Sequence, residues 1–351
     1  MNHQDWNRFS FVNAVTPDPG WSVTCAMFAS YSLDPVVMTA LMLGLNGSAD
    51  DRGSGNRFDF VDAFSKFKGR VRFIVQKGRI TRSSRDPSIL ALTDHYIKEV
   101  DTDEREASWH PKIGFIRMQS QADPTTFQWG LVVGSRNLTR DISLDAGLVL
   151  IGTPGKKGAA ISGVDDAFRK MAEKADLTAV NVNSLLRELR IIRWRCPDGM
   201  AVEEIRLFLP GEKRDLPTPP ENIRALWAAS PFLNKTTVVQ LGRWGGPNIH
   251  RYLLSTWPAL AQITRRDAKS PKGFQTLLVM ETPDTAEPPS EADDLSSEDE
   301  TIEPPGLHAK LIYAQQNHGG VLWMGSANIT ERGWKGANAE IVVRVKITDQ
   351  A

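Results

Sequence analysis

The chain has almost no cysteine: Cys25 and Cys196 are the only two in 351 residues. That excludes a disulfide-stapled scaffold and points to a reducing compartment, read here as the cytoplasm. There is no apolar run of 18 residues, so no membrane-spanning helix is expected. The longest apolar patch, residues 36–45, is helix-sized and broken by Thr39 and Gly44. It reads as core. The first residues, MNHQDWNRFSF, lack the basic start and continuous apolar segment of a signal peptide. Net charge is absent too, with 42 Lys and Arg against 42 Asp and Glu. No group of His, Asp and Glu has metal-ligand spacing, so neither a metal nor another cofactor is expected.

What is present fits a globular protein. Hydrophobic residues make up 41% of the chain, and its length suits two domains or two halves of one. The charge is unevenly spread. Residues 281–305 hold ten acidic side chains, five prolines and no Lys or Arg. Such a segment reads as a disordered insertion, solvated or acting as an acidic flap over a basic cleft. The remainder, with 42 basic and 32 acidic residues, is mildly basic and suits a polyanionic substrate.

The most informative feature is a string that occurs twice. His110-Pro111-Lys112 is followed by Gly134-Ser135-Arg136-Asn137-Leu138-Thr139. His308-Ala309-Lys310 is followed by Gly325-Ser326-Ala327-Asn328-Ile329-Thr330. The strings sit in a larger repeat: Asp34 precedes His110 by 76 residues, and Asn234 precedes His308 by 74. Duplication predicts a pseudo-two-fold arrangement with equivalent loops facing across a seam. Strands are expected over 21–30, 70–76, 113–118, 131–134, 146–151, 223–229, 274–280, 311–314, 321–325 and 341–345. Helices are expected over 36–45, 88–100, 165–191 and 236–241, and a loop over 210–220. Alternating strands and helices make the fold class α/β. The halves are placed at 1–200 and 201–351.

The doubled string is a kit for gripping one phosphate. A phosphodiester repels nucleophiles, so its oxygens must be neutralised, a nucleophile placed in line and the leaving oxygen protonated. Lys112 and Lys310 supply positive charge. Asn137 and Asn328 offer amide hydrogen bonds, and Ser135 and Ser326 hydroxyl hydrogen bonds. One imidazole, of His110 or His308, attacks phosphorus and the other protonates the leaving oxygen, since a histidine visits both protonation states near neutral pH. Each imidazole needs an orienting carboxylate. The candidates are Asp145 and Glu340, each directly ahead of an apolar strand. Trp109, Trp244 and Trp334 read as core, with base stacking as the alternative for Trp244 in its Gly-rich loop. The other histidines and Cys25 read as structural.

The two His-x-Lys…Gly-Ser-x-Asn patterns resemble the phospholipase D superfamily over essentially the whole chain. The usual family motif carries an Asp five residues after each Lys. Arg117 and Gln315 stand there instead. That departure, the string from Gly325 to Trp334 and Ser230-Pro231-Phe232-Leu233 resemble the tyrosyl-DNA phosphodiesterase branch. The resemblance implies two pseudo-symmetric α/β/α sandwich halves with one active site at their seam. It also implies His110 as nucleophile and His308 as acid. The function expected is a metal-independent nuclease or DNA-end phosphodiesterase. Its partner is nucleic acid, DNA ahead of RNA. Alternatives are a phospholipase or phosphatidyltransferase, and a nucleic-acid-binding module without turnover. A place in a bacterial defence or repair system, with partner proteins, is compatible with these readings. The residues do not fix an oligomeric state.

Overall fold

Strand β1 (Trp21–Ser30) is buried along nearly its whole length, as befits a strand covered on both faces. The computed structural model describes residues 11–48, 57–81, 93–141, 143–266, 270–280 and 306–348. In it, β1 pairs parallel with β2 (Val71–Gln76), and β2 with β3 (Ile97–Val100). On its other side β1 pairs antiparallel with β4 (Ile113–Ser120). Antiparallel pairing then continues through β5 (Phe127–Gly134), β6 (Gly147–Pro154) and β7 (Ile192–Arg195). The second sheet comprises β8 (Met200–Phe208), β9 (Ala225–Ala229), β10 (His250–Thr256), β11 (Thr276–Met280), β12 (Leu311–Gln315), β13 (Gly320–Gly325) and β14 (Glu340–Ile347).

The strand orders are β3-β2-β1-β4-β5-β6-β7 and β11-β10-β9-β12-β13-β14-β8. The first six positions correspond strand for strand, with the same parallel and antiparallel pairings. The seventh position is filled by β7 in one sheet and β8 in the other. These are consecutive in the chain, which therefore crosses between sheets after Arg195.

Equivalent helices begin with equivalent caps. Asp34 accepts from Val36 N ahead of helix Pro35–Asn46, and Asn234 accepts from Thr237 N ahead of helix Lys235–Leu241. Gly47, with φ +72°, ends the first of these helices in the left-handed conformation. One outer core packs helix Pro35–Asn46 on the first sheet through Leu41, Phe28 and Phe73. Another gathers Leu226, Trp244, Leu253 and Trp323 on the second sheet. Between the sheets lies amphipathic helix Val164–Ala175. Its Phe168 and Met171 share one core with Trp129 of the first sheet and Ile205 and Val343 of the second. Helix Val182–Ile191 adds Leu185 and Leu189 to that core.

Two expectations change here. The helix expected over 88–100 gives way, in its described part, to a 3-10 turn at Asp94–Tyr96 and to β3. Pairing with β2 overrides the local helical preference. Strands β7, β8 and β10 and helices Arg57–Phe67 and Trp257–Arg266 are additions to the reading above. The acidic insertion, 281–305, lies outside the described residues. Among the described residues no helix is long and apolar enough to cross a membrane.

Phe168 meets Phe115 and Trp129 edge-to-face, with centroids 5.4 Å away in each case. Phe168→Ala is expected to cost about 3–5 kcal/mol, through lost burial and the cavity left behind. Urea denaturation measures it; a loss below about 1 kcal/mol would show that this helix does not bind the sheets together.

Candidate active site

The two Gly-Ser-x-Asn loops are pinned in the same way. Ser135 N donates to Ala146 O at 2.9 Å, and Ser135 Oγ accepts from Ala146 N at 2.9 Å. Ser326 repeats both bonds with Ile341, again at 2.9 Å. A second serine, at the end of β1 or β9, secures the far side of each loop. Ser30 Oγ accepts from Leu138 N, and Ser230 Oγ from Ile329 N, both at 3.0 Å. Gly325 has φ +147°, and a Cβ there would collide with the Ile341 carbonyl.

Each His-x-Lys segment then bonds to the opposite half. His110 N donates to Ala339 O at 3.1 Å, and Ala339 N to Ser108 O at 2.8 Å. His308 N donates to Leu144 O, and Leu144 N to Gly306 O, both at 2.8 Å. These are short parallel bridges, Trp109 to Ala339 and Leu144 to Leu307. They draw both motifs to one seam. Within each motif the lysine folds back on its own histidine. Lys112 Nζ donates to His110 O at 3.0 Å and Lys310 Nζ to His308 O at 2.7 Å. Lys310 Nζ also reaches Ser135 O of the other half at 3.3 Å.

Glu340 is fully buried at the centre. Its Oε2 accepts from His110 Nδ1 at 3.0 Å and from the Ser326 hydroxyl, and its Oε1 accepts from Asn338 Nδ2 at 3.2 Å. Burial favours the neutral carboxyl, but His110, Lys112 and the Ser326 hydroxyl outweigh it and hold Glu340 below the usual carboxylate range. Burial lowers the His110 pKa, helped by Lys112 and Lys310 and opposed by Glu340. The imidazole is therefore neutral at pH 7, with Nδ1–H on Glu340 and a lone pair on Nε2. Burial also pulls Lys112 well below its ordinary value, reinforced by Lys310. Lys310 falls to about 8 through burial, with Glu340, Asp145 and Asp141 opposing.

The other histidine is held differently. His308 Nε2 lies 3.0 Å from Asp141 Oδ2, and His308 Nδ1 is buried without a hydrogen-bond partner among the described residues. Asp145, one of the two carboxylates expected to orient an imidazole, does not do so here. Asp145 Oδ2 lies 3.4 Å from Arg136 Nε, an ion pair without hydrogen-bond geometry, and Asp141 takes the histidine. The serine expectation changes as well. Ser135 and Ser326 are fully buried loop pins, closed off from any phosphate. Asn328 is nearly buried, its Oδ1 3.3 Å from Ser230 Oγ, while Asn137 is half-buried with Oδ1 unpartnered.

Sequence reasoning missed Asp141, Ser30 and Tyr31, whose ring lies 5.3 Å from that of His110. The serine had a signal in the repeat, since Ser30 and Ser230 stand at equivalent strand ends. Base stacking by Trp244 is excluded by its burial against Trp323. Trp109 is core, bonded to Ile74 O at 3.1 Å. Arg117, at one of the two positions where the family carries Asp, pairs with Glu188 at 2.7 Å. Burial pushes the Cys25 thiol up to about 12, which makes it inert. Among the described residues no three His, Cys, Asp or Glu side chains group as a metal site.

Duplicated seven-stranded sheets meeting at a His-x-Lys seam define the phospholipase D-like fold. Among solved structures, yeast tyrosyl-DNA phosphodiesterase aligns over 96% of this chain and 85% of its own, with TM-score 0.56 and 9% identity. Two histidine variants of that protein align with TM-scores of 0.54 and 0.53, at 9% and 10% identity, over 96% and 93% of this chain and 84% and 83% of theirs. At such identities the likeness is one of fold. No protein-family model and no curated protein sequence matches the chain.

The histidine pair can be titrated directly. His110 is expected to titrate below the ordinary 6.5. Glu340→Gln should lower it further, because the carboxylate is what favours the charged ring. Ring-proton NMR against pH measures both values. A His110 pKa above 6.5 would show that the ion pair, and not burial, governs the site.

Proposed function

We propose that the chain is a phosphodiesterase acting on nucleic acid, as a nuclease or DNA-end-processing enzyme, through a phosphohistidine on His110. One observation carries this: His110 Nδ1 lies 3.0 Å from buried Glu340, which leaves Nε2 without a hydrogen bond among the described residues, beside buried Lys112 and Lys310. The Nε2 lone pair attacks phosphorus, an N–P bond forms, and the P–O bond to the leaving group breaks. His308 gives its proton to the departing oxygen. In the second half-reaction His308 takes a proton from water, the water oxygen attacks phosphorus, and the N–P bond breaks to restore His110. Lys112 and Lys310 neutralise the nonbridging oxygens throughout. The preference for DNA over RNA is supported by the name of the structural neighbour, a tyrosyl-DNA phosphodiesterase. The mildly basic remainder of the chain supports a polyanionic substrate.

The test is cleavage of labelled DNA and RNA, with lipid micelles as comparison, in EDTA. Activity on nucleic acid should persist in the chelator, with His110→Ala down at least ~1,000-fold. His308→Ala should accumulate a covalent adduct on denaturing gels when the leaving group is good. The pH profile of kcat/KM follows from the two shifts. Activity falls as acid protonates His110, on a limb below 6.5. It falls again as Lys310 loses its proton, around 8. Full turnover by His110→Ala, or cleavage strictly dependent on added Mg²⁺, would overturn the assignment.

A further inference from the structure

The contact between His308 and Asp141 does not belong to the reaction as written. An acid–base histidine must offer a nitrogen to the leaving oxygen and then to water. His308 Nδ1 cannot do so, because it is enclosed by protein, with no hydrogen-bond partner among the described residues. Only Nε2 remains, and Nε2 is bonded to Asp141 Oδ2 at 3.0 Å. The two side chains are 29% and 33% exposed, so the contact lies where a substrate can reach it.

Asp141 is held in this place from behind. Its Oδ1 accepts from Ser143 N at 2.8 Å and from the Ser143 hydroxyl, and its backbone carbonyl accepts from Arg136 Nη1. Its charge also acts on Lys310, one of the two phosphate-neutralising cations. Thus a carboxylate oxygen occupies both the hydrogen-bond position and part of the electrostatic field that a phosphodiester oxygen would use.

We propose that Asp141 is an internal ligand of the leaving-group subsite, bound to His308 Nε2 until a substrate oxygen displaces it, and so a residue that sets substrate affinity. The inference rests on the acid–base role given to His308 above. Displacement trades one charge-assisted hydrogen bond for another, so substrates gain only the difference. Removing the carboxylate should restore the full interaction.

The experiment uses the full chain and inorganic phosphate as probe, with binding measured by calorimetry. Asp141→Ala should tighten phosphate binding about tenfold, the scale of one partly exposed ionic hydrogen bond. Asp141→Asn retains an acceptor for Ser143 and should tighten it by less. It guards against loop collapse in the alanine variant. The His308 ring resonances should shift in both variants and, on adding phosphate, in the wild type. Unchanged or weaker phosphate binding in both variants would overturn the proposal, and weaker binding with reduced kcat/KM would make Asp141 a support for His308. Phosphate binding needs no turnover, so the two readings separate. If His110→Ala stays active while Asp141→Ala binds phosphate tighter, the phosphohistidine on His110 fails and the competition of Asp141 for His308 stands. If His110→Ala is inactive and phosphate binding does not tighten, the reverse holds.

Discussion

A buried carboxylate governs the seam. Glu340 has no exposed surface, and an unpaired charge in that place would cost several kcal/mol. Ser326 and Asn338, from its own half, satisfy part of it, and His110 arrives from the other half. The second half therefore completes the hydrogen bonding of its central charge only when the first half docks in register. Lys112 and Lys310 add a complementary demand. Both are buried, and burial drives both toward losing their charge. Lys310 depresses Lys112 further. An anion between them would relieve that repulsion and offset the cost of burial.

Backbone exchange gives this electrostatic arrangement its precision. Each His-x-Lys segment is bridged to the lead-in of the other half's strand, β14 or β6. Each Gly-Ser-x-Asn loop is tied at two points by serines that never meet solvent. The histidines and lysines are therefore carried by strand ends beside loops whose serines are spent on backbone groups, which leaves little freedom to misplace them.

Much of this was legible in the sequence because duplication writes the same constraint twice. His110, Lys112, His308 and Lys310 stood out by spacing, and β1, β4, β5, β12 and β13 by apolar runs ending at the motifs. Glu340 could be picked out because a carboxylate opening an apolar strand has few structural uses. The helix expected over 88–100 was misleading, because strand pairing with β2 decides the described part of that segment and leaves no local mark. Asp141 was invisible for a related reason. Nothing in Arg140-Asp141 distinguishes it from a solvated turn until the fold brings His308 across the seam. The serines were recognised but given the wrong task, since a Gly-Ser at a strand end reads equally as a donor to ligand or to backbone.

The same backbone frame, used twice, gives its two histidines different partners, and a few side chains make the difference. The carboxylates Asp145 and Glu340 are equivalent: each precedes the residue, Ala146 or Ile341, that clasps the loop serine. What differs is the length of the carboxylate side chain, Asp against Glu, and the variable residue of Gly-Ser-x-Asn. In the first loop it is Arg136, which lies 3.4 Å from Asp145 and ties up its charge. In the second it is Ala327, which can pair with nothing, so Glu340 is free to cross the seam to His110 Nδ1. His110 thereby receives a buried carboxylate behind its ring and presents Nε2, the arrangement a nucleophile needs. His308 receives none at Nδ1, and its Nε2 settles on Asp141. Duplication alone would make two interchangeable histidines; Arg136 against Ala327, Asp145 against Glu340, and Asp141 on His308 make them unequal.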